Sequence, residues 1–113
     1  MCIFCQIVEG KIPSDKVFQD DELMAFRDIN PQAPVHILII PKKHIDSIAD
    51  VVDEEGAKMV GRIALLANHL ASEEDIDRAG YRLVTNCREQ GGQLVQHLHF
   101  HLLGGRQLSG NLV

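Results

Sequence analysis

Residues 91–105 read GGQLVQHLHFHLLGG, with His97, His99 and His101 at every second position and Leu98, Phe100 and Leu102 between them. Strict alternation is the period of a β-strand, whose successive side chains point to opposite faces. The spacing predicts a strand over Val95 to Leu103, with three imidazoles on one face and three apolar side chains packing into a core on the other. Alternate strand residues stand roughly 6.6 Å apart, so the outer two imidazoles are about twice that distance apart and the three cannot converge on one metal ion. The chain has six histidines. Half of them fall within these five residues, which points to chemistry rather than packing.

The residues just before the row sharpen that reading. Gly91 and Gly92 permit a tight backbone with its amides turned outward, a concave anion site, and Gln93 adds a side-chain amide donor. A phosphate held against imidazoles is the expectation. An HxH pair on a strand also suits an open metal site with two nitrogen ligands, so a metal-dependent hydrolase is one competing reading. A nucleotide-binding regulatory protein with vestigial turnover is another.

Further out, the run VHILIIP (35–41) is a continuous apolar stretch of strand length, rich in β-branched residues, and reads as a buried central strand. Upstream, KVFQD and LMAFRD flank the acidic pair Asp20 and Asp21 and read as an antiparallel hairpin. The stretch INPQAP (29–34) is a loop, because each proline lacks an amide hydrogen and restrains its predecessor. Between Asp53 and Ala71 the residues Met59, Val60, Ile63, Leu66, Ala67 and Leu70 recur at helical spacing, with Asp53 as N-cap and Glu54 and Glu55 favourable in the first turn. Beyond the Ala79-Gly80 break, YRLVTN (81–86) reads as a strand. Cys2 to Val8 reads as a short amphipathic helix ended by Gly10 and Pro13. The order implies an α+β fold: a mostly antiparallel five-stranded sheet with one long helix on one face and a short N-terminal helix.

At 113 residues the chain is expected to form a single domain, 1–113. Its hydrophobic content of 45% and charged content of 24% are near globular averages. A net charge of -5 argues against a nucleic-acid duplex or an anionic membrane as partner, since both need a basic surface. No apolar run approaches the ~20 residues that cross a bilayer, and MCIFCQIVEGK lacks the pattern of a signal peptide. The cytoplasm is the expected compartment. In a reducing compartment the CxxC of Cys2 and Cys5 reads as metal ligation or redox chemistry before it reads as a disulfide.

Taken together, CIFCQIVEGKIPS, DDELMAFRDINPQAPVHILIIPKKHI, GYRLVTN and GGQLVQHLHFHLLGGR resemble, in order and over nearly the whole chain, segments of the histidine triad (HIT) superfamily, and specifically its Hint branch of purine nucleoside phosphoramidases. The resemblance implies a HIT-like fold, a homodimer and an AMP- or GMP-type purine nucleotide as ligand. It also implies hydrolysis of nucleoside 5'-phosphoramidates or related nucleotidyl esters through a covalent nucleotidyl-histidine, with no cofactor needed for the chemistry. The middle histidine, His99, is then the nucleophile, with its other ring nitrogen held by a backbone carbonyl. His101 donates to the phosphate or leaving-group oxygen, and His97 takes a relay position. Asp28 matches the acidic residue that accepts from the ribose hydroxyls, while Phe4, Ile7, Phe26 and Ile29 match the walls around the base. Asn86, Gly92 and Gln93 match phosphate-side positions.

Departures from the family pattern fall at three places. Leu94 stands where relatives often carry a small hydroxyl residue, leaving only its backbone amide for the phosphate. Arg27 stands beside the base or ribose, where eukaryotic relatives often carry a histidine. The tail QLSGNLV lacks the aromatic residue that shapes the leaving-group side in some relatives. Relatives with the same N-terminal CxxC imply, finally, a structural zinc held by Cys2, Cys5, His44 and His97, a closed tetrahedral set with no open position.

Overall fold

The computed structural model describes residues 2–112. Helix α1 (Ile3–Val8) is followed by strands β1 (Lys16–Gln19), β2 (Leu23–Arg27) and β3 (Val35–Pro41), helix α2 (Glu54–Glu73), and strands β4 (Tyr81–Val84) and β5 (Phe100–Gly104). The five strands form one antiparallel sheet in the order β1-β2-β3-β5-β4. The α+β architecture read from the sequence is the observed one. Among the described residues no helix is long and apolar enough to cross a membrane.

Alternation divides the sheet into two cores. Leu23, Ala25, Ile37, Ile39, Leu98 and Leu102 point toward α2 and bury Met59, Ile63, Ala67 and Leu70 of that helix. Met24, Phe26, Leu38 and Ile40 point the other way and are covered by Phe4 of α1. Every residue of β3 is buried, as its unbroken apolar run requires of a strand packed on both faces. Helix α2 starts where its cap chemistry places it, the Asp53 carboxylate accepting from the Gly56 amide at 2.8 Å, and it runs two residues past the expected end at Ala71.

The histidine strand is shorter than its alternation implies. Ladder pairing begins at Phe100, opposite Ile39, so His97, Leu98 and His99 lie outside it. Continuing the register by two residues would set Leu98 against Pro41, which has no amide hydrogen to offer a ladder. The backbone there is held by other partners: the Leu98 amide donates to the Ile45 carbonyl at 2.6 Å, and Thr85 Oγ1 donates to the His99 carbonyl at 2.8 Å. Strand β4 likewise stops at Val84, which frees Thr85 for that contact. The in-and-out alternation survives without the ladder: Leu98 and Leu102 are fully buried on the α2 side, while His97 and His99 meet Phe4 on the opposite side.

Candidate active site

On the α1 side of the sheet, the imidazoles of His36, His97, His99 and His101 gather beside Phe4. The rings of His99 and His101 are 5.0 Å apart between centroids, and Phe4 stands edge-on to His99 at 5.1 Å. His99 Nδ1 lies 2.7 Å from the His97 carbonyl. A carbonyl only accepts, so Nδ1 carries the hydrogen and Nε2 keeps its lone pair.

His101 is held in the complementary state by a residue that sequence reasoning did not single out. His36, buried within β3, accepts the Gln32 amide hydrogen on Nδ1 at 3.0 Å. Its own proton therefore sits on Nε2, which lies 2.9 Å from His101 Nδ1. His101 accepts there and is left with its hydrogen on Nε2. Burial, with His99 and His36 alongside, pushes His101 down to about 4, and burial lowers His36 as well, against the opposing pull of Asp28. As neutral imidazoles the two neighbouring rings are thus held in opposite tautomers, one offering a lone pair and the other an N–H. The only trace of His36 in the sequence is a lone histidine in the apolar run VHILIIP, which reads equally well as a satisfied core residue.

Asp28 lies beside this relay, with Oδ2 3.5 Å from His36 Nε2 and Oδ1 accepting from the Asn30 amide at 2.8 Å. Asp28, His36 and His101 converge closely enough to be considered as metal ligands. The Gln32 amide argues otherwise, because a cation on His36 Nε2 would move the proton to Nδ1 and set it against the Gln32 N–H. The set is better matched to one proton than to a metal.

A second cluster joins Cys2, Cys5, His44 and His97, whose donor atoms all lie within 4.8 Å of one another. The four sulfur-to-Nδ1 separations are 3.5, 3.4, 3.3 and 3.6 Å. Tetrahedral zinc with ordinary bond lengths would place sulfur and nitrogen roughly 3.6 Å apart. Both imidazoles present the right nitrogen: His97 donates from Nε2 to the Pro41 carbonyl at 2.8 Å, and His44 Nε2 lies 2.6 Å from the Asp46 carboxylate, so each turns an Nδ1 lone pair inward. Burial, and then the neighbouring Cys2, push the Cys5 thiol up to about 11, since two adjacent thiolates need a cation between them. Chemistry and spacing both fit a divalent ion.

The remaining expected residues divide. Phe26 is buried against Phe4, ring centroids 5.6 Å apart, and Ile7 packs partly buried on the same cluster. Ile29 is 98% exposed and Leu94 93%, so neither is committed to the core. Asn86 is partly buried just beyond β4.

Two expectations are corrected. Arg27 does not reach the base side: it shares its face of β2 with Leu23 and Ala25, toward α2, and binds Glu74 through two hydrogen bonds of 2.7 and 3.0 Å. Two amides of the glycine loop are turned inward rather than outward, Gly92 donating to the Glu89 carbonyl and Gln93 to the Arg88 carbonyl, each at 3.0 Å. The Gln93 side chain is buried and equally spent. Its Nε2 donates to the carbonyls of Asp46 and Val95, and its Oε1 accepts from the Arg88 amide. Gly91 is required by close approach, because a Cβ there would stand 2.3 Å from the Cys87 carbonyl oxygen. These contacts build the loop.

Comparison with known proteins agrees with this geometry. Residues 9–108 match the model of the HIT domain. The chain is 51% identical over 106 residues to the purine nucleoside phosphoramidase of Escherichia coli K12, covering 94% of this chain and 88% of that protein. Among solved structures, a HIT family hydrolase from Legionella pneumophila superposes with a TM-score of 0.93 at 50% identity, covering 97% of each chain. A histidine triad protein from Clostridium difficile superposes with a TM-score of 0.92 at 46% identity, covering 97% of this chain and 95% of that one.

Proposed function

Because this chain belongs to the HIT domain family, we propose that it is a nucleotide hydrolase that cleaves purine nucleoside 5'-phosphoramidates, or related nucleotidyl esters, through His99. The observation that carries the reading is the opposed pair of tautomers. His99 Nε2 has a lone pair to place on the α-phosphorus, and its Nδ1 hydrogen already rests on a carbonyl that stabilises the cationic ring formed by attack. The P–N bond breaks as the N–P bond to His99 forms, its electron pair leaving on nitrogen, which takes a proton from solvent water, and the later attack of water returns a proton to solvent. His101 Nε2–H donates to the phosphoryl or leaving-group oxygen as charge grows there. Water then attacks the nucleotidyl-histidine, releasing the nucleoside monophosphate and restoring the imidazole. Asp28 serves the ribose hydroxyls, and Phe4, Phe26 and Ile7 the base.

Zinc in the Cys2, Cys5, His44 and His97 set belongs to the same proposal. When bound it supplies a closed structural crosslink between α1, the segment after β3 and His97, with no position for a reacting water. So does a homodimer: β4 ends the sheet with an unpaired edge, and Leu65 of α2 is 70% exposed, surfaces that a two-fold axis would cover.

The test is AMP release from adenosine 5'-phosphoramidate by the wild type and by His99→Ala. The variant should lose turnover and form no acid-labile nucleotidyl adduct. Equal rates in the two proteins would overturn the assignment.

A further inference from the structure

Helix α1 spans six residues, Ile3–Val8, and only Phe4 among them is buried. A helix this short does not sustain itself, because its nucleation cost is spread over too few hydrogen bonds. What holds it is the packing of Phe4, with Ile7 and Val8 partly buried beside it, and the two thiols that bracket Phe4. Cys2 is the N-cap, its sulfur accepting from the Cys5 amide at 3.2 Å, and both sulfurs face His44 and His97.

Phe4 also meets the proposed nucleophile directly. It stands edge-on to His99 with centroids 5.1 Å apart and planes at 85°, and it meets His97 at 5.9 Å. His97 has a double role of its own. Its Nδ1 belongs to the sulfur cluster and its Nε2 to Pro41, while its backbone carbonyl is the acceptor that fixes the tautomer of His99. The nucleophile is thus attached to the four-residue cluster twice, through a ring contact and through a carbonyl.

We propose that the Cys2, Cys5, His44 and His97 centre positions the nucleophile and the base wall, with Phe4 and the His97 carbonyl as the positioning groups. The proposal rests on the zinc reading given above. With the ion in place, α1 is pinned at both ends of its first turn, and Phe4 is pressed against His99 and Phe26. With the ion removed, two sulfurs and two nitrogen lone pairs face one another without a cation, and the turn that carries Phe4 loosens first. His97 keeps its bond to Pro41 and changes less. The cost therefore falls mainly on nucleotide binding, and on the rate to a smaller degree.

The experiment compares metal-loaded protein with protein stripped by chelator, with metal content measured directly and the fold followed by circular dichroism. Reconstitution with Co²⁺ should produce a thiolate charge-transfer band. In the stripped protein, KM and the AMP dissociation constant should rise by about 2- to 12-fold, the span of one lost edge-to-face aromatic contact. The ¹⁵N resonances of His99 should move from a single tautomer toward a mixture. Unchanged AMP affinity together with unchanged His99 resonances in a folded, metal-free protein would reduce the centre to a staple and overturn the proposal. Absence of the cobalt–thiolate band in the wild type would overturn the zinc reading itself, a distinct failure that removes the proposal with it. Should the stripped protein unfold, Phe4→Leu in the metal-loaded state must reproduce the rise in KM, and an unchanged KM there refutes the proposal.

Discussion

Replacing His36 by leucine removes the side chain that holds His101 in its donor tautomer. The 2.9 Å bond from His36 Nε2 to His101 Nδ1 is buried, and without it His101 can place its proton on either nitrogen. Losing a buried hydrogen bond of this kind costs about 1 to 3 kcal/mol. If that loss appears in the transition state, kcat falls by roughly 5- to 150-fold. KM should move less, because His36 acts through His101. The same substitution strands the Gln32 amide, which donates to His36 Nδ1 at 3.0 Å, so the melting temperature should fall as well. His36→Gln supplies an amide N–H in place of the imidazole N–H and should restore part of kcat, which a purely structural defect would not allow. Steady-state AMP release, read beside the melting temperature of each variant, separates the two effects. A folded His36→Leu protein with kcat within about twofold of wild type would refute the tautomer argument, since twofold is less than the smallest cost above.

Arg27→Met should lower stability by about 1 kcal/mol, a value discounted for the partial exposure of the Arg27–Glu74 pair, and leave KM unchanged. A raised KM in nucleotide titrations would place Arg27 at the ligand after all. Acidification should weaken the fold through His101. Its folded pKa, about 4 and depressed by burial, lies below the ordinary value, so the unfolded chain takes up the proton first and stability present above about pH 6.5 is lost as the pH falls toward 4. Unfolding free energies from denaturant titrations at pH 7.5 and 4.5 should differ by on the order of 2 to 3 kcal/mol, and His101→Asn should flatten the difference; identical free energies would contradict it. Gly91→Ala should destabilise by about 1 to 3 kcal/mol through overpacking, since its Cβ would lie 2.3 Å from the Cys87 carbonyl, whereas a thermal melt like that of wild type would show that the loop yields freely.

Local pattern carried most of the architecture. Alternation marked the hairpin, the unbroken run VHILIIP marked a strand buried on both sides, and Asp53 marked the start of α2, because strand and helix periods and cap chemistry act between near neighbours. Errors arose where a residue answers to a distant partner. Pro41 shortened the histidine strand from across the sheet. Glu74, at the end of α2, drew Arg27 away from the side where the family pattern placed its counterpart. The carbonyls of Asp46 and Val95 took the amide of Gln93 that had been assigned to phosphate.

The sequence by itself determined the candidate residues, three alternating histidines, a CxxC and a further histidine after the central strand, together with the α+β frame that presents them; His36 emerged only from the fold. Only the tertiary structure decided how the labour divides among them. Which nitrogen of an imidazole carries its hydrogen depends on what faces the other nitrogen, and for His99, His101 and His97 those partners are the His97 carbonyl, the buried His36 and the Pro41 carbonyl. A residue's type fixes which protons it can exchange. The fold chooses where each of them rests.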